Sequence, residues 1–492
     1  MVGAELSSDL SIKSDTELLK QKAGMEQDKT VFNRRITEGP ILKSVWHIAW
    51  PTMLQNMIAG LQGVVDHAMV GHYVGYLGNA AIGVSWQIFL VVVVFISSLY
   101  SGMNVLVARF AGEGDAGKVN RTVYQGFLAS VFVACLVLAP AGYFFTPVLL
   151  NFVNAAPEVQ VHALPYLRIM FVFSIGKLLF FMLGGALRSA GDAKTPLRLG
   201  VLMTVLNLLL NVILIRGMGP VPGMGATGAA IGTVVASGTV SLLAVYLLFK
   251  GHLVVQFRRA MRWRPDWSII SALFKFGLPT GFQGVAVNIG GVLLLRFVGS
   301  LPESAAAQAA FTVCYTQLFA LVTWTSVGIM GGAATVAGQN LGAKKPERTR
   351  RVAKSAASIG LMVASTAGLI YLFIPELVLG VFGMKDPRVL EIAVELLRYL
   401  SLSGLFVTVA LAYTGSLQGT GDTRSPMIIS IISQVIIPIG YCYLITLTRA
   451  LQTTDIWMAI LLGHFTRMLL SVLRFHQGKW QTIEVDIAPE RV

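Results

Sequence analysis

Twelve long apolar stretches run through the chain between residues 43 and 476. A membrane-spanning helix needs about 20 mostly apolar residues, because the hydrocarbon core is about 30 Å thick. Each stretch must be helical, since lipid offers no partners for backbone amides. Only 13% of the residues are charged, against about 25% in a soluble domain, so the chain belongs in a membrane. The predicted spans are 43–71, 79–108, 119–145, 158–187, 195–216, 226–249, 268–298, 305–338, 353–374, 388–418, 425–447 and 456–476.

The placement of Lys and Arg predicts the orientation of these spans. If the N-terminus is cytosolic, 29 of the 38 basic residues fall in cytosolic segments and seven in outer ones. Cytosolic segments carry an excess of Lys and Arg, so we expect both termini in the cytosol and a multi-pass plasma-membrane protein (the inner membrane in a bacterium). The net charge of +14 is then a topology signal and does not indicate nucleic-acid binding.

The first 40 residues are polar and lack the apolar core of a signal peptide, so we interpret 1–40 as a cytosolic N-terminal tail. We interpret 477–492 as a cytosolic C-terminal tail. The three cysteines, Cys135, Cys314 and Cys442, all lie in apolar runs. This placement excludes a disulfide scaffold or a cysteine zinc site as an organising feature. We expect no cofactor.

The chain repeats itself at an offset of about 230 residues. Pro51-Thr52 with Gln55 recurs as Pro279-Thr280 with Gln283, and the LRSAGD motif at 187–192 recurs as LQGTGD at 417–422. Six spans per copy keep the same orientation, so the copies are parallel repeats. The expected fold is all-α, with an N-lobe at 41–249, a basic linker at 250–267 and a C-lobe at 268–476. Repeats of this kind suit transport by alternating access.

Asp66 is the one acidic residue that falls well inside a predicted span. A charge there costs at least about 2.5–3.5 kcal/mol on insertion scales, and burial favours protonation of a carboxylate. The repeat places Leu294 at the equivalent position, so the acid was not kept in both copies. We therefore expect Asp66 to couple ions, with a structural carboxylate as the alternative. Pro51, 15 residues earlier, is the candidate helix-bending residue.

Three polar residues are expected at or near the depth of Asp66. Counted from the outer ends of spans 5 and 6, Asn211 and Thr233 lie about as deep as Asp66. Asn207 lies one turn deeper on the face of Asn211. The four residues form a candidate ion-coupling site. A single carboxylate favours H⁺ over Na⁺, although the oxygens also permit Na⁺ at Asp66. No other metal site is expected.

Lys177 lies near the middle of span 4. Lysines inside the membrane are rare and usually paired or functional. Lys177 is therefore a candidate counter-charge to Asp66, a candidate contact for anionic substrates, or a snorkelling side chain. For Arg296 and Arg467, nearer to span ends, we expect snorkelling. The remaining candidates to line a substrate cavity are Gln55, Met53, Met57, Gln283 and Asn288; core packing is the alternative for the methionines.

These residues and motifs together resemble the multidrug and toxic compound extrusion (MATE) transporters, over about residues 41–476. The resemblance implies twelve helices in two V-shaped lobes and export of organic, often cationic compounds in exchange for H⁺ or Na⁺. Asp66 matches the family's first-helix acid and Pro51 its bending proline, whereas Asn211 stands where relatives often have a second Asp. The pattern is most similar to the DinF-like branch. The motifs that carry the resemblance are PT at 51–52, VD at 65–66, VG at 70–71, ALRSAGDAKTP at 186–196, GAAIGT at 228–233, QNLGA at 339–343 and GTGDT at 419–423.

We therefore expect a secondary active multidrug exporter and not an enzyme. Its partners would be small-molecule drugs or toxins, H⁺ or Na⁺ and the lipid bilayer, and we expect a monomer. The first alternative is a lipid-linked oligosaccharide flippase of the same superfamily, in which Lys177 would meet phosphate. A receptor or membrane enzyme is the second, but the outer loops are too short for a ligand-binding ectodomain and no catalytic constellation stands out.

Overall fold

The computed structural model describes residues 32, 34–258, 261, 264–384 and 386–487. Most of the expected N-terminal tail, part of the linker and the end of the C-terminal tail lie outside these residues. The regular secondary structure of the described part is helical, apart from one isolated β-bridge. Twelve long helical units run through it: α1 Ile41–Val74, α2 Tyr76–Glu113, α3 Ala116–Phe152, α4 as the pair Pro157–Val172 and Ile175–Ser189, α5 Lys194–Arg216, α6 Gly225–Phe249, α7 Trp267–Gly299, α8 Ser304–Gly342, α9 Pro346–Phe373, α10 Pro387–Thr420, α11 Arg424–Thr446 and α12 Thr453–His476.

Ten of these helices in the described residues are long and apolar enough to cross a membrane, and the two pieces of α4, bent by 49°, make eleven. The exception is α1, which is longer than the predicted span but too polar to qualify by composition. Its polar residues include Gln55, Asn56, Gln62 and Asp66. It packs between α5 and α8, so its polar side chains meet protein groups where a lone span would expose them to lipid.

Local signals in the sequence set several helix ends. Proline is the first residue of α9 and α10, where its missing N–H costs nothing. Asp386 caps α10 by accepting hydrogen bonds from the backbone of Arg388 and Val389 at 2.9 and 3.1 Å. Gly421 ends the same helix with φ of 101°, a conformation that favours glycine.

The two six-helix halves meet through two equivalent helix pairs, α1 with α8 and α7 with α2. The contact is tight on the side where α1 begins and α12 ends, hereafter the terminal side. There α2 and α8 cross so tightly that a Cβ on Gly112 would lie 2.0 Å from the backbone oxygen of Gln339. A Cβ on Gly342 would lie 2.1 Å from the backbone oxygen of Arg109. Glycine makes this seam possible.

Toward the opposite side the halves diverge. The outermost glycine of α1 that meets α8 is Gly60, which lies against the ring of Trp324. Gly63, further along α1, has no neighbouring atom within 4 Å of an ideal Cβ, and neither does Gly284 on α7. The close glycine contacts between the halves thus lie on the terminal side and near the middle of the helices; the opposite side, where the described glycines show none, is hereafter the open side.

Segments outside the twelve helices close the terminal side further. Ile36, in the short helix Arg35–Glu38, is buried, and its backbone oxygen accepts a hydrogen bond from Asn340 at 3.2 Å. After α12, Trp480 is buried against the second half, whereas Val485 belongs to the core of the first half. The chain after α12 thus crosses the seam.

Candidate functional site

The structure brings Asp66 of α1 against α5, the helix that carries both candidate asparagines. Asn211 Nδ2 donates a 2.8 Å hydrogen bond to Asp66 Oδ1. Asn207 and Asn211 are one turn apart on α5 and both are 0% exposed, whereas Asp66 is half-buried. The carboxylate therefore reaches into the first half from its edge and is anchored there by an amide.

Asn207 links this anchor to α6. Its side-chain amide lies 3.2 Å from Thr233 Oγ1. In this orientation the Asn207 oxygen accepts from Gln62 Nε2 at 2.8 Å and from Asn211 Nδ2 at 3.3 Å. In the opposite amide orientation the oxygen would accept from Thr233 and the nitrogen would donate to Asp66 Oδ1 at 3.3 Å. The structure thus brings all four predicted site residues into one hydrogen-bonded cluster.

The cluster continues into α1 and α5 through two residues that the sequence reasoning missed. The side-chain amides of Gln62 and Asn207 are 2.8 Å apart, and Thr204 Oγ1 donates to Gln62 Oε1 at 2.9 Å. Gln62 lies four residues before Asp66, on the same face of α1. That spacing was the signal that could have identified it.

Two further side chains from α4 share the electrostatic environment of Asp66. Lys177 and Tyr166 each interact with its charge. Lys177 has no ion pair within 4.0 Å among the described residues, and its Nζ lies 5.2 Å from the ring centroid of Phe89. Lys177 therefore acts on Asp66 at longer range than a salt bridge. Tyr166 was not singled out from the sequence, because one tyrosine in an apolar run carries no spacing signal.

The hydrogen bond that Asp66 makes comes from an N–H donor. Asn211 Nδ2 donates to Oδ1, the Asn207 nitrogen would reach the same oxygen only in the opposite amide orientation, and Oδ2 has no hydrogen-bond partner among the described residues. No group of three or more His, Cys, Asp or Glu side chains in the described part of the chain is placed to hold a metal ion. A cation prefers oxygen ligands, whereas N–H donors leave the second carboxylate oxygen as a place for a proton.

The candidate cavity residues of α1 lie toward the terminal side. Pro51 is buried within α1, which continues as one uninterrupted helix to Val74. Gln55 Oε1 accepts a 2.8 Å hydrogen bond from Arg188 Nη1. Met53 packs against Gly328 of α8, where the two halves meet, and Met57 is half-buried.

The two candidates in the second half are separate from the Asp66 cluster. Gln283 is buried, and both ends of its side-chain amide are hydrogen-bonded. Its nitrogen donates to Ser430 Oγ at 2.8 Å, and its oxygen accepts from Gln418 at 3.0 Å. It repeats in the second half the contact that Gln55 makes with Arg188. Asn288 is exposed and donates only to the backbone oxygen of Gly284, on its own helix, at 2.9 Å.

The snorkelling expectation for Arg467 is wrong. Its side chain is 7% exposed and lies inside the second half, on the buried face of α12 that also carries His464. Position near the end of a predicted apolar run suggested a route to water. Helices α10 and α11 pack along α12, and aromatic rings of α8 stack on its side chains. These neighbours enclose the guanidinium group, which a single span cannot show.

Comparison with known proteins identifies the family. The model of the MatE family matches residues 51–213 and again residues 279–444. The chain belongs to the MatE family. Each match covers one of the two repeats. Members of this family are transporters and not enzymes, and the same holds for this MatE chain.

Curated relatives match nearly the whole length of the MatE chain. It is 27% identical to the "Probable multidrug resistance protein NorM" of Thermotoga maritima, over 92% of this chain and 96% of the relative. It is 25% identical to the "Multidrug export protein MepA" of Staphylococcus saprophyticus, over 81% and 86% of the two chains.

A solved structure shows the same two-lobed, V-shaped fold. It is described as the "Outward-facing conformation of a multidrug resistance MATE family transporter of the MOP superfamily". The TM-score is 0.83 at 20% identity, covering 91% of this MatE chain and 98% of the other.

Proposed function

We propose that this MatE chain is a secondary active multidrug exporter that exchanges H⁺ for organic, cationic or amphipathic compounds by alternating access. The observation that carries the proposal is Asp66, a carboxylate inside a membrane helix, held by the amide of Asn211, which Asn207 in turn contacts. The names of the relatives support drug export, and the N–H donor on Oδ1, with an Oδ2 that has no partner among the described residues, supports H⁺ as the coupling ion.

The proposed architecture is an N-lobe at 41–249, a linker at 250–267 and a C-lobe at 268–476. With the N-terminal tail at 1–40 and the C-terminal tail at 477–492 in the cytosol, as the Lys and Arg distribution favours, the open side faces outward. We expect the protein to work as a monomer in the plasma membrane, because each chain contains both lobes.

Protonation of Asp66 from the open side would remove the charge that Asn211 stabilises. The ion-coupling group of Asp66, Asn207, Asn211 and Thr233 joins α1, α5 and α6, so a change in one hydrogen bond reaches three helices. Coupling requires that H⁺ and drug favour different conformers or exclude each other. Pro51 is the proposed place where α1 adjusts.

The flippase alternative would need basic side chains along the central cleft. Lys177 lies over Phe89 within the first half and acts on Asp66. That placement favours a role for Lys177 in the ion site over contact with a lipid phosphate. Met53, Met57, Gln55 and the second-half candidates remain proposed substrate contacts, to be reached when the terminal side opens.

The experiment imposes one ion gradient at a time. Purified protein in proteoliposomes is given either an H⁺ or a Na⁺ gradient, and transport of ethidium is followed by fluorescence. Asp66→Asn keeps the shape of the side chain but cannot ionise, and Glu158→Gln, an exposed acid on α4, is the matched control.

We expect H⁺-driven ethidium transport in the wild type and in Glu158→Gln, and loss of at least 90% of it in Asp66→Asn. Transport driven by a Na⁺ gradient and not by an H⁺ gradient would show that Na⁺ is the coupling ion. Unchanged H⁺-driven transport in folded Asp66→Asn would refute the mechanism.

A further inference from the structure

The interior of the second half contains a basic pair that the Asp66 mechanism does not use. Arg467 and His464 lie three residues apart on α12, on one helix face, and are 7% and 3% exposed. Arg467 has no hydrogen bond or ion pair to any described residue, and its electrostatic partner is the hydroxyl group of Tyr315 on α8. A guanidinium inside a membrane helix is costly without a counter-charge.

Two hydrogen-bond donors at this place are buried without a partner among the described residues. They are Arg467 Nε and Gln434 Nε2, and His464 Nδ1 is unpartnered as well. Gln434, on α11, faces α12 closely, because a Cβ on Gly463 would lie 3.7 Å from its amide nitrogen. Buried donors in proteins are normally satisfied, so a group of unsatisfied ones indicates that an acceptor binds among them.

The backbone is irregular at the same place. Tyr315 lies in a π-helical turn of α8, Thr312–Leu318, and Gln434 lies in another in α11, Ile432–Ile436. These are two of the three such turns in the described residues. π-Helical turns occur often at functional sites, because the extra residue redirects side chains.

Aromatic rings form one wall of the site. Phe319 of α8 stacks on His464 with ring centroids 5.5 Å apart, and Tyr315 stacks on Phe319 at 5.6 Å. A wall of this kind excludes water and holds the imidazole in one orientation. Water exclusion strengthens any charge interaction that Arg467 makes.

We propose that Arg467, His464 and Gln434 form a binding site for a compact monovalent anion. The two sources of such a charge are a halide ion and the carboxylate group of an organic compound. The 7% exposure of Arg467 leaves only a narrow approach, so the charged group that reaches the guanidinium must be compact. The inference does not depend on the proposed role of Asp66.

The test measures anion binding by thermal unfolding of the purified full chain in non-ionic detergent. Sodium bromide and sodium benzoate are titrated separately, and sodium sulfate keeps the ionic strength constant. We expect a saturable rise in Tm with at least one of them, and a dissociation constant at least tenfold weaker in Arg467→Gln. Arg296→Gln removes an exposed arginine from α7 and should bind like the wild type.

If Arg467→Gln does not fold, Arg467→Lys and Gln434→Leu replace it. Lysine keeps the charge but not the planar donor geometry, so both variants should weaken binding. A response to bromide alone assigns a halide site, and a response to benzoate assigns a carboxylate site. The proposal fails if neither anion gives a saturable shift, or if folded Arg467 and Gln434 variants respond like the wild type.

Discussion

Gly232 of α6 gives Asn211 the space that it needs to reach Asp66. A Cβ at position 232 would lie 2.3 Å from Asn211 Oδ1 and 3.4 Å from both Asn211 Cγ and Leu210 Cβ. Real Cβ atoms essentially never approach a neighbour below 3.0 Å. In Gly232→Ala the Asn211 amide must therefore move by about 1 Å to reach an ordinary contact distance.

The displacement breaks the bond to Asp66. Taken along the bond, a shift of this size lengthens the Asn211 Nδ2 to Asp66 Oδ1 distance from 2.8 Å to about 3.8 Å, which is outside hydrogen-bonding range. A hydrogen bond to a charged group contributes about 1.5–3 kcal/mol, or roughly a ten- to hundredfold change in an equilibrium constant. Alanine also favours a helix over glycine by up to about 1 kcal/mol, so the loss should be larger in transport than in overall stability.

The assay is H⁺-driven ethidium transport in proteoliposomes, together with Tm in detergent. Gly238→Ala is the matched control, since it lies on the same helix and a Cβ there meets no atom within 4 Å. We expect Gly232→Ala to transport at least tenfold more slowly than Gly238→Ala at similar Tm. Rates within twofold of each other in two folded variants would refute the role assigned to the Asn211 bond.

Two further predictions concern the terminal side. Burial alone would raise the pKa of Asp266, the cap of α7, but hydrogen bonds from Ser268 and Arg121 hold that pKa below its ordinary value. The carboxylate therefore stabilises the fold above its unfolded pKa of about 4 and loses this contribution as pH falls. Asp266→Asn should cost about 1 kcal/mol at neutral pH and flatten the acid side of the Tm profile; an unchanged profile would contradict this. Trp480→Ala should lower the local stability of the segment after α12 by about 3–5 kcal/mol. Tryptic cleavage after Lys479 should then be at least tenfold faster than in the control Thr482→Ala. Equal cleavage rates would show that the indole does not hold the segment.

Much of the fold was predictable from the sequence, because lipid leaves few choices. Apolar length located the helices, and the repeated motifs paired them across the chain. The shielding of the polar residues of α1 by α5 and α8 was not predicted. The free-energy cost of placing those residues in a membrane depends on which helices cover them. Nor does a repeat reveal that α1 packs on α8 and α2 on α7, because sequence offset contains no information about which surfaces meet.

The candidate site was predictable to the extent that depth in the membrane determines contact. Asp66, Asn211 and Thr233 were grouped by equal distance from the helix ends, and the hydrogen bonds join them through Asn207. Arg467 was misjudged, because the same distance rule treats every span end as open to water. Its true surroundings come from the packing of α8, α10 and α11 around α12.

The segment after α12 ties the two halves together on the terminal side. Trp480 is anchored in one half, and Val485 and Ile487 are inserted into the other, each apolar side chain contributing about 1.5–3 kcal/mol when fully buried. Separating the halves on the terminal side would extract some of these side chains. A few kcal/mol is enough to move a two-state equilibrium from one dominant form to the other. Under the proposed alternating access, shortening this protein by a dozen residues should therefore favour separation of the halves without altering a single transmembrane residue.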